Sequence, residues 1–373
     1  MLTFWPADQL SRWSDYDYYY EVASWVDRGL LPYLDYWVEY PPLFSYLSVL
    51  LYLLTSHYVA FATGLALVQL AFEVGALVLL HRLAWRTLGE ARAERVVWVY
   101  ALLFAPVATW WLSFDSIATF FLLLAIERWL AGRRMQSALA MGVGGLVKWF
   151  PLLFLPVIAR FRRDWRETLG TVILTLAVLL LVLGLLAVFS PAYTLASLRS
   201  LTSRASWQTV WALLDGNLGT GAYNANRLDP AAAAIPQGNP ARIPAWVTLF
   251  LFGGLYLWLW VRPSGQETGF SPKNLVSPAG DLRLLRFTTV TVLLFYLWSR
   301  GWSPQWLGSL APLLLLCLPL ERAVLYLVVL TFVNVAEWPV LLSRGLDHWL
   351  YLTVPLRTAL LVLLLIENVR RDA

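Results

Sequence analysis

A chain of 373 residues with 59% hydrophobic and 14% charged residues falls well below the quarter or so of charged residues found in soluble domains. Its mean hydropathy is +0.63, which excludes a water-soluble globular fold and predicts an all-α polytopic membrane protein. The net charge of +5 comes from arginines in short connections between apolar runs; that is a topology signal, so no nucleic acid partner is implied.

Residues 1–58 open the chain as an acidic, aromatic segment, with Asp8, Asp15, Asp17, Glu21, Asp27, Asp35 and Glu39 against Arg12 and Arg28. "MLTFWPADQLSR" lacks the basic start and apolar stretch of a cleavable signal peptide. "YPPLFSYLSVLLYLLTS" begins and ends on the same side in the charge pattern, so it is expected as an outer interfacial helix with Pro41 or Pro42 in its first turn. Apolar runs near 59–82, 95–112, 115–131, 167–189, 245–262, 284–299, 306–320, 323–341 and 348–367 predict about nine spanning helices.

Between Arg133–Arg134 and Arg160–Arg163 stands only "MQSALAMGVGGLVKWFPLLFLPVIA". Both arginine clusters ask for the cytoplasmic side, and the glycines, Lys148 and Pro151 interrupt the run. Two re-entrant half-helices satisfy both demands, since broken helices at membrane depth are tolerated inside protein or along a cavity. Residues 190–244 then form a second outer loop, and the stretches 231–240 and 263–280 read as flexible connections. The whole of 1–373 is a single integral-membrane domain, with no internal repeat to suggest a repeat-built transporter.

The acids of the first loop alternate with tyrosines and tryptophans, as on a surface that stacks on sugar rings. A solvated loop explains them equally well on composition alone. A carboxylate beside a membrane cavity suits a general base, because partial burial raises its pKa toward working pH. Asp115 begins a helix, where Ser113 can cap it and the dipole favours an acid, and it can also face a shared cavity. Lys148 is an ionisable group at membrane depth; it suits either a phosphate or pairing with Glu73. Arg300, Arg199 and Arg204 suit phosphate oxygens or headgroup anchoring. Cys317 is the sole cysteine and His57, His81 and His348 are scattered, so no metal site is built from them. An Asp15–Asp17 pair leaves a divalent cation possible on the weak signal of one DxD; no other cofactor is implied.

Four stretches together carry a family resemblance. "SDYDYYYEVASWVDRGLLPYLDYWVEYPPL" resembles the first outer loop of GT-C superfamily glycosyltransferases, "SFDSIATFFLLLAIERWLAGRR" the Phe–Asp helix after it, "ALAMGVGGLVKWFPLLFLPV" the glycine-rich segment ending in Lys–x–x–Pro–Leu, and "WSPQWLGSLAPLL" the late Ser–Pro–Gln–aromatic turn. Their order is similar to that of the polyprenyl-phosphate-mannose-dependent mannosyltransferases. The resemblance implies a GT-C-like bundle and a transferase that moves one sugar, mannose in the first instance, from a polyprenyl-phosphate donor to the hydroxyl of a glycan or glycolipid acceptor. Transfer would run outside the cytoplasm, with inversion, and would make 1–58 the catalytic loop.

By position, Asp15 would be the base with Asp17 assisting, although Glu39 is a third candidate. Lys148 and Arg300 would offset the donor phosphate, while Glu39, Tyr40, Asp115 and Gln305 would line the sugar and acceptor pocket. Family members carry a transmembrane helix ahead of the acidic loop, and this chain starts in the loop. Either the start lies upstream or that helix is dispensed with, which keeps a partner-dependent subunit in view. A non-catalytic lipid or solute carrier is the other alternative, motivated by Lys148 and Glu73. Arginine in place of lysine and the missing targeting peptide point to a bacterial plasma membrane, with the endoplasmic reticulum as the alternative.

Overall fold

The computed structural model describes residues 15–103, 113–162, 164–235, 237–262 and 278–372. Asp8, Arg12, Trp110, Trp111, Arg163 and most of the 263–280 connection lie outside the described residues. Among the described residues the regular structure is all-helical, in the order α1 (Tyr16–Ser24), α2 (Pro42–Leu54), α3 (Tyr58–Leu88), α4 (Glu90–Leu102), α5 (Asp115–Leu130), α6 (Arg134–Val147), α7 (Phe154–Arg160) and α8 (Trp165–Phe189). There follow α9 (Pro191–Ser203), α10 (Val210–Asp215), α11 (Ala245–Val261), α12 (Pro278–Trp298), α13 (Trp306–Cys317), α14 (Leu320–Val335) and α15 (Leu350–Asp372).

Among the described residues, four helical stretches are long and apolar enough to cross a membrane: Tyr58–Leu88, Trp165–Phe189, Leu320–Arg344 and Asp347–Arg371. Each coincides with an apolar run of the sequence. Other runs form shorter helices, such as Ala245–Val261 and Trp306–Cys317.

α8 illustrates the solvent for which the fold is built. Its buried stripe is Thr168, Thr171, Thr175 and Leu179, at helical spacing, whereas Ile173, Leu180, Leu181, Leu185, Val188 and Phe189 are exposed. In water that arrangement would be inside out; in lipid it leaves the hydrocarbon outward and hides the hydroxyls. The threonines are satisfied within the helix: Thr168 and Thr171 donate to the carbonyls of Asp164 and Glu167 at 2.9 and 2.8 Å.

Small residues bring α5, α6 and α8 together. Ser137 donates to Ala125 O at 2.8 Å, tying α6 to α5, and a Cβ on Gly142 would meet Val178 of α8 at 2.7 Å. α6 ends where Lys148 turns extended (φ −156°, ψ 139°). A 3₁₀ turn, Phe150–Leu153, then leads into α7. The turn folds back on α6: a Cβ on Gly144 would meet Phe121 at 2.5 Å and Pro151 at 2.9 Å. Phe161, just past α7, lines a small cavity with Trp129, Arg134 and Asp281, so the chain returns to the level from which α6 set out. Arg86 pairs with Asp281 at 2.6 Å at that same end.

Gly144→Ala is therefore expected to cost about 1–3 kcal/mol through overpacking against a ring and a proline that cannot retreat. Thermal melting in detergent measures it; an unchanged melting temperature would show that the turn is not packed this tightly.

The opposite end has its own aromatic core. Tyr16, Tyr19, Phe44, Phe61, Leu65, Phe114, Ile117 and Val147 cluster there, with Tyr18, Tyr20 and Tyr40 packed around them. This cluster joins α1, α2 and α3 to the start of α5 and the end of α6. Pro42 takes the first position of α2 and Pro41 caps it, as fixed φ and a missing N–H allow.

The 190–244 segment is clipped onto the first loop. The Trp37 indole N–H is shared between the carbonyls of Asn226 (3.1 Å) and Asp229 (3.0 Å), and Val38 N–H donates to Ser197 Oγ at 3.1 Å. Within the stretch read as flexible from its composition, Pro230–Ala234 forms a 3₁₀ turn with Ala232 and Ala233 buried. Small alanines let it lie close against α9.

Candidate active site

Asp15 stands just ahead of α1, and its carbonyl accepts from Tyr19 N–H at 2.9 Å. An aspartate there usually spends its side chain on the first amides of the helix. This one makes no such bond, and the hydroxyl of Tyr19 approaches its Oδ2 only at 3.5 Å. Among the described residues the carboxylate therefore keeps nearly all its acceptor capacity. Asp15 has a solvent-accessible face although protein surrounds most of it. The surrounding protein and the Glu39 charge hold its carboxyl above the ordinary value, while Arg204, Tyr19 and Lys148 pull it down.

Asp17 follows two residues later on the same helix and cannot share that direction, because positions i and i+2 lie on different faces. It is exposed and lies beside Tyr58. The pair therefore does not converge as a two-carboxylate cradle for a divalent cation.

Glu39 is buried and fully engaged. It accepts from Arg227 Nη1 at 2.6 Å and from the Tyr18 hydroxyl at 2.8 Å. The Arg227 guanidinium lies over Trp37, 4.1 Å from the ring centroid, so an aromatic face and a carboxylate together compensate a cation that burial would otherwise disfavour.

Below these groups lies a second ion pair. Lys148 Nζ meets Asp115 Oδ1 at 2.5 Å, with the lysine side chain 24% exposed and the aspartate 6%. Ser113 Oγ donates to the other oxygen of Asp115. This corrects the alternative pairing: Glu73 is not the partner of Lys148 and instead accepts from the Tyr100 hydroxyl at 2.7 Å. The break at Lys148 aims its side chain at the start of α5, where Nζ sits 5.1 Å from the Phe114 centroid.

Aromatic rings connect the two levels. Tyr40 packs edge-on against Tyr19 (5.4 Å) and Phe114 (5.3 Å), and Phe114 stacks on Phe44 at 3.7 Å. Asp15, Glu39, Tyr40, Asp115 and Lys148 thus surround one aromatic frame. Gln305 directly precedes α13, one turn ahead of Ser309, whose hydroxyl meets Thr119 at 2.6 Å. Thr119 is one turn below Asp115, which sets Gln305 level with that carboxylate.

Arg300 is placed differently. It meets the buried Asp215 at 3.0 Å, and its carbonyl accepts from Trp207 N–H and the Thr209 hydroxyl. Burial alone would raise the Asp215 pKa, but Ser206, the amides of Ile243 and Arg242, and Arg300 together hold it below the ordinary value. Asp215 and Arg227 were not singled out in the sequence, where neither stands in a motif or a periodic pattern.

The geometry offers an accessible carboxylate, an aromatic wall and a cation deeper in the fold. That combination can take a proton from a hydroxyl while stabilising negative charge on a departing group. A family model described as glycosyltransferase family 87 matches residues 37–276. No curated protein and no solved structure matches the chain.

Proposed function

Taking as premise that the chain belongs to glycosyltransferase family 87, we propose that it transfers a single sugar, mannose in the first instance, from a polyprenyl-phosphate donor to an acceptor hydroxyl. The acceptor is a glycan or glycolipid at the outer face of a bacterial plasma membrane. Four long apolar helices in a member of this family make it an integral membrane protein. On this reading Asp15 takes the acceptor's proton as its oxygen attacks the sugar's anomeric carbon from the face opposite the phosphate. The bond to phosphate breaks with inversion, and the polyprenyl phosphate leaves as an anion that needs positive charge more than a proton.

One observation carries the assignment: an uncapped carboxylate at Asp15, without an ion-pair partner among the described residues, is joined through Tyr19, Tyr40 and Phe114 to Lys148, a cation at a helix break. Among the first-loop acids proposed as base, Glu39 is committed to Arg227 and Asp17 is turned toward Tyr58, which favours Asp15. Asp115 orients Lys148 and lines the sugar pocket with Tyr40 and Gln305. Arg300 is proposed as a second phosphate cation, reaching the donor by loosening its hold on Asp215. The return of α7 to the starting level of α6 supports a re-entrant pair, and the resemblance supports a GT-C-like bundle of about nine spans.

Lys148→Met tests the cation. It is expected to reduce transfer at least tenfold and to destabilise the fold, because it leaves the buried Asp115 charge uncompensated. Lys148→Met with Asp115→Asn should recover the melting temperature and not the activity. Radiolabelled transfer in membranes reads both, and a double variant of wild-type activity would remove Lys148 from the mechanism.

A further inference from the structure

Resting on that reading, we propose that Arg204 is a phosphate-binding residue of the donor site, held ready by a stack of Gly301, Trp207 and Arg204. The guanidinium carbon lies over the Trp207 indole, 3.7 Å from its centroid, and 5.3 Å from the centroid of the Tyr223 ring. Nε and Nη2 both donate to Thr220 O, at 3.3 and 2.7 Å. The indole in turn rests on Gly301, where an added Cβ would fall inside the ring. Trp207 is also pinned along its backbone, donating to Arg300 O at 3.0 Å and accepting from Trp302 N–H at 3.1 Å.

What the stack leaves out is a counterion. Lys148 has Asp115, Arg227 has Glu39 and Arg300 has Asp215. Arg204, half-exposed, has no carboxylate within ion-pair distance among the described residues. Its planar fork is fixed on one edge by Thr220 and makes a side-chain hydrogen bond with Tyr223, which among the described residues leaves its remaining N–H groups to a ligand. A planar, preordered guanidinium matches two phosphate oxygens at once.

Its position suits the role. Its Tyr223 contact sets Arg204 beside Arg227 and hence beside Glu39 of the first loop, and the Arg204 charge acts on Asp15, as that of Lys148 does. A phosphate held by Arg204 would bring its sugar toward the first-loop acids. Arg227 lies 5.7 Å from the same Tyr223 ring, but Glu39 neutralises it.

The test uses the full-length protein in nanodiscs, with Asp15→Asn as the parent so that no sugar is transferred. Binding of radiolabelled polyprenyl phosphate and of the uncharged polyprenol is measured. Arg204→Gln should weaken polyprenyl phosphate binding about tenfold or more and leave polyprenol binding unchanged. Arg204→Lys should fall between, because it keeps the charge and loses the planar fork. Gly301→Ala should weaken binding as well, by dislodging Trp207 with the arginine's charge intact.

Equal binding by the parent and Arg204→Gln would overturn this proposal and leave the donor assignment standing; no binding by the parent would overturn both. With Asp15 intact, Arg204→Gln should raise the donor KM. A shift of the acid limb of the pH profile at unchanged donor KM would make Arg204 merely a counter-charge for Asp15, and would overturn the proposal.

Discussion

Asp15→Asn is expected to abolish sugar transfer, by about 10²- to 10⁴-fold for loss of a general base, without lowering the melting temperature. The two halves of this expectation have one origin. Surrounding protein and the Glu39 charge hold the Asp15 carboxyl above its ordinary value, so its ionisation is less favourable in the folded chain than in the unfolded one. Stability from this group is complete below the unfolded pKa and is lost as pH rises through the folded one. Asparagine removes the charge and with it that loss at neutral pH.

The same elevation sets the pH dependence of the reaction. A base must be ionised, so kcat/KM should fall as pH drops through the Asp15 pKa, which is raised above the ordinary aspartate value. Asp17→Asn should keep most of the activity. A pH–rate profile and a melting curve on each variant check the assignment; inactive Asp17→Asn beside active Asp15→Asn would exchange their roles.

The second large effect is structural. Arg227→Met should destabilise the protein by about 3–5 kcal/mol, the usual cost of leaving one partner of a buried ion pair uncompensated. Both side chains are nearly closed to solvent, at 8% and 6% exposure, and Glu39 would be left with the Tyr18 hydroxyl alone. The 190–244 segment should then come away from the first loop, since Arg227 lies between the two carbonyls that hold Trp37. Thermal melting and limited proteolysis within that segment report both consequences. Adding Glu39→Gln should restore most of the stability. If the single variant melts like the wild type, the pair does not hold the loops together.

The limits of sequence reading follow from the range of each interaction. α2, α3, α8 and α11 were legible because apolar runs and a proline at a helix start are local signals. Lys148 was legible as a lone lysine in a glycine-rich break. Its partner was not, because Asp115 stands 33 residues away and Glu73 was an equally apolar-flanked acid. Arg227 and Glu39 are 188 residues apart, and no periodicity records such a contact. Asp15 and Asp17 look alike in the sequence and differ only in helical phase, which decides that one faces the aromatic frame and the other Tyr58. Arg300 looked available on its turn because Asp215, 85 residues earlier, carries no sign that it folds beneath.

The donor is the point on which the proposed chemistry turns. The most direct measurement supplies purified protein in nanodiscs with acceptor and two competing labelled donors, a polyprenyl-phosphate sugar and the corresponding nucleotide sugar. Transfer is expected from the lipid-linked donor alone, with inverted configuration in the product and none when Asp15 is asparagine. Transfer from the nucleotide sugar, or from the lipid donor undiminished by that substitution, would contradict it.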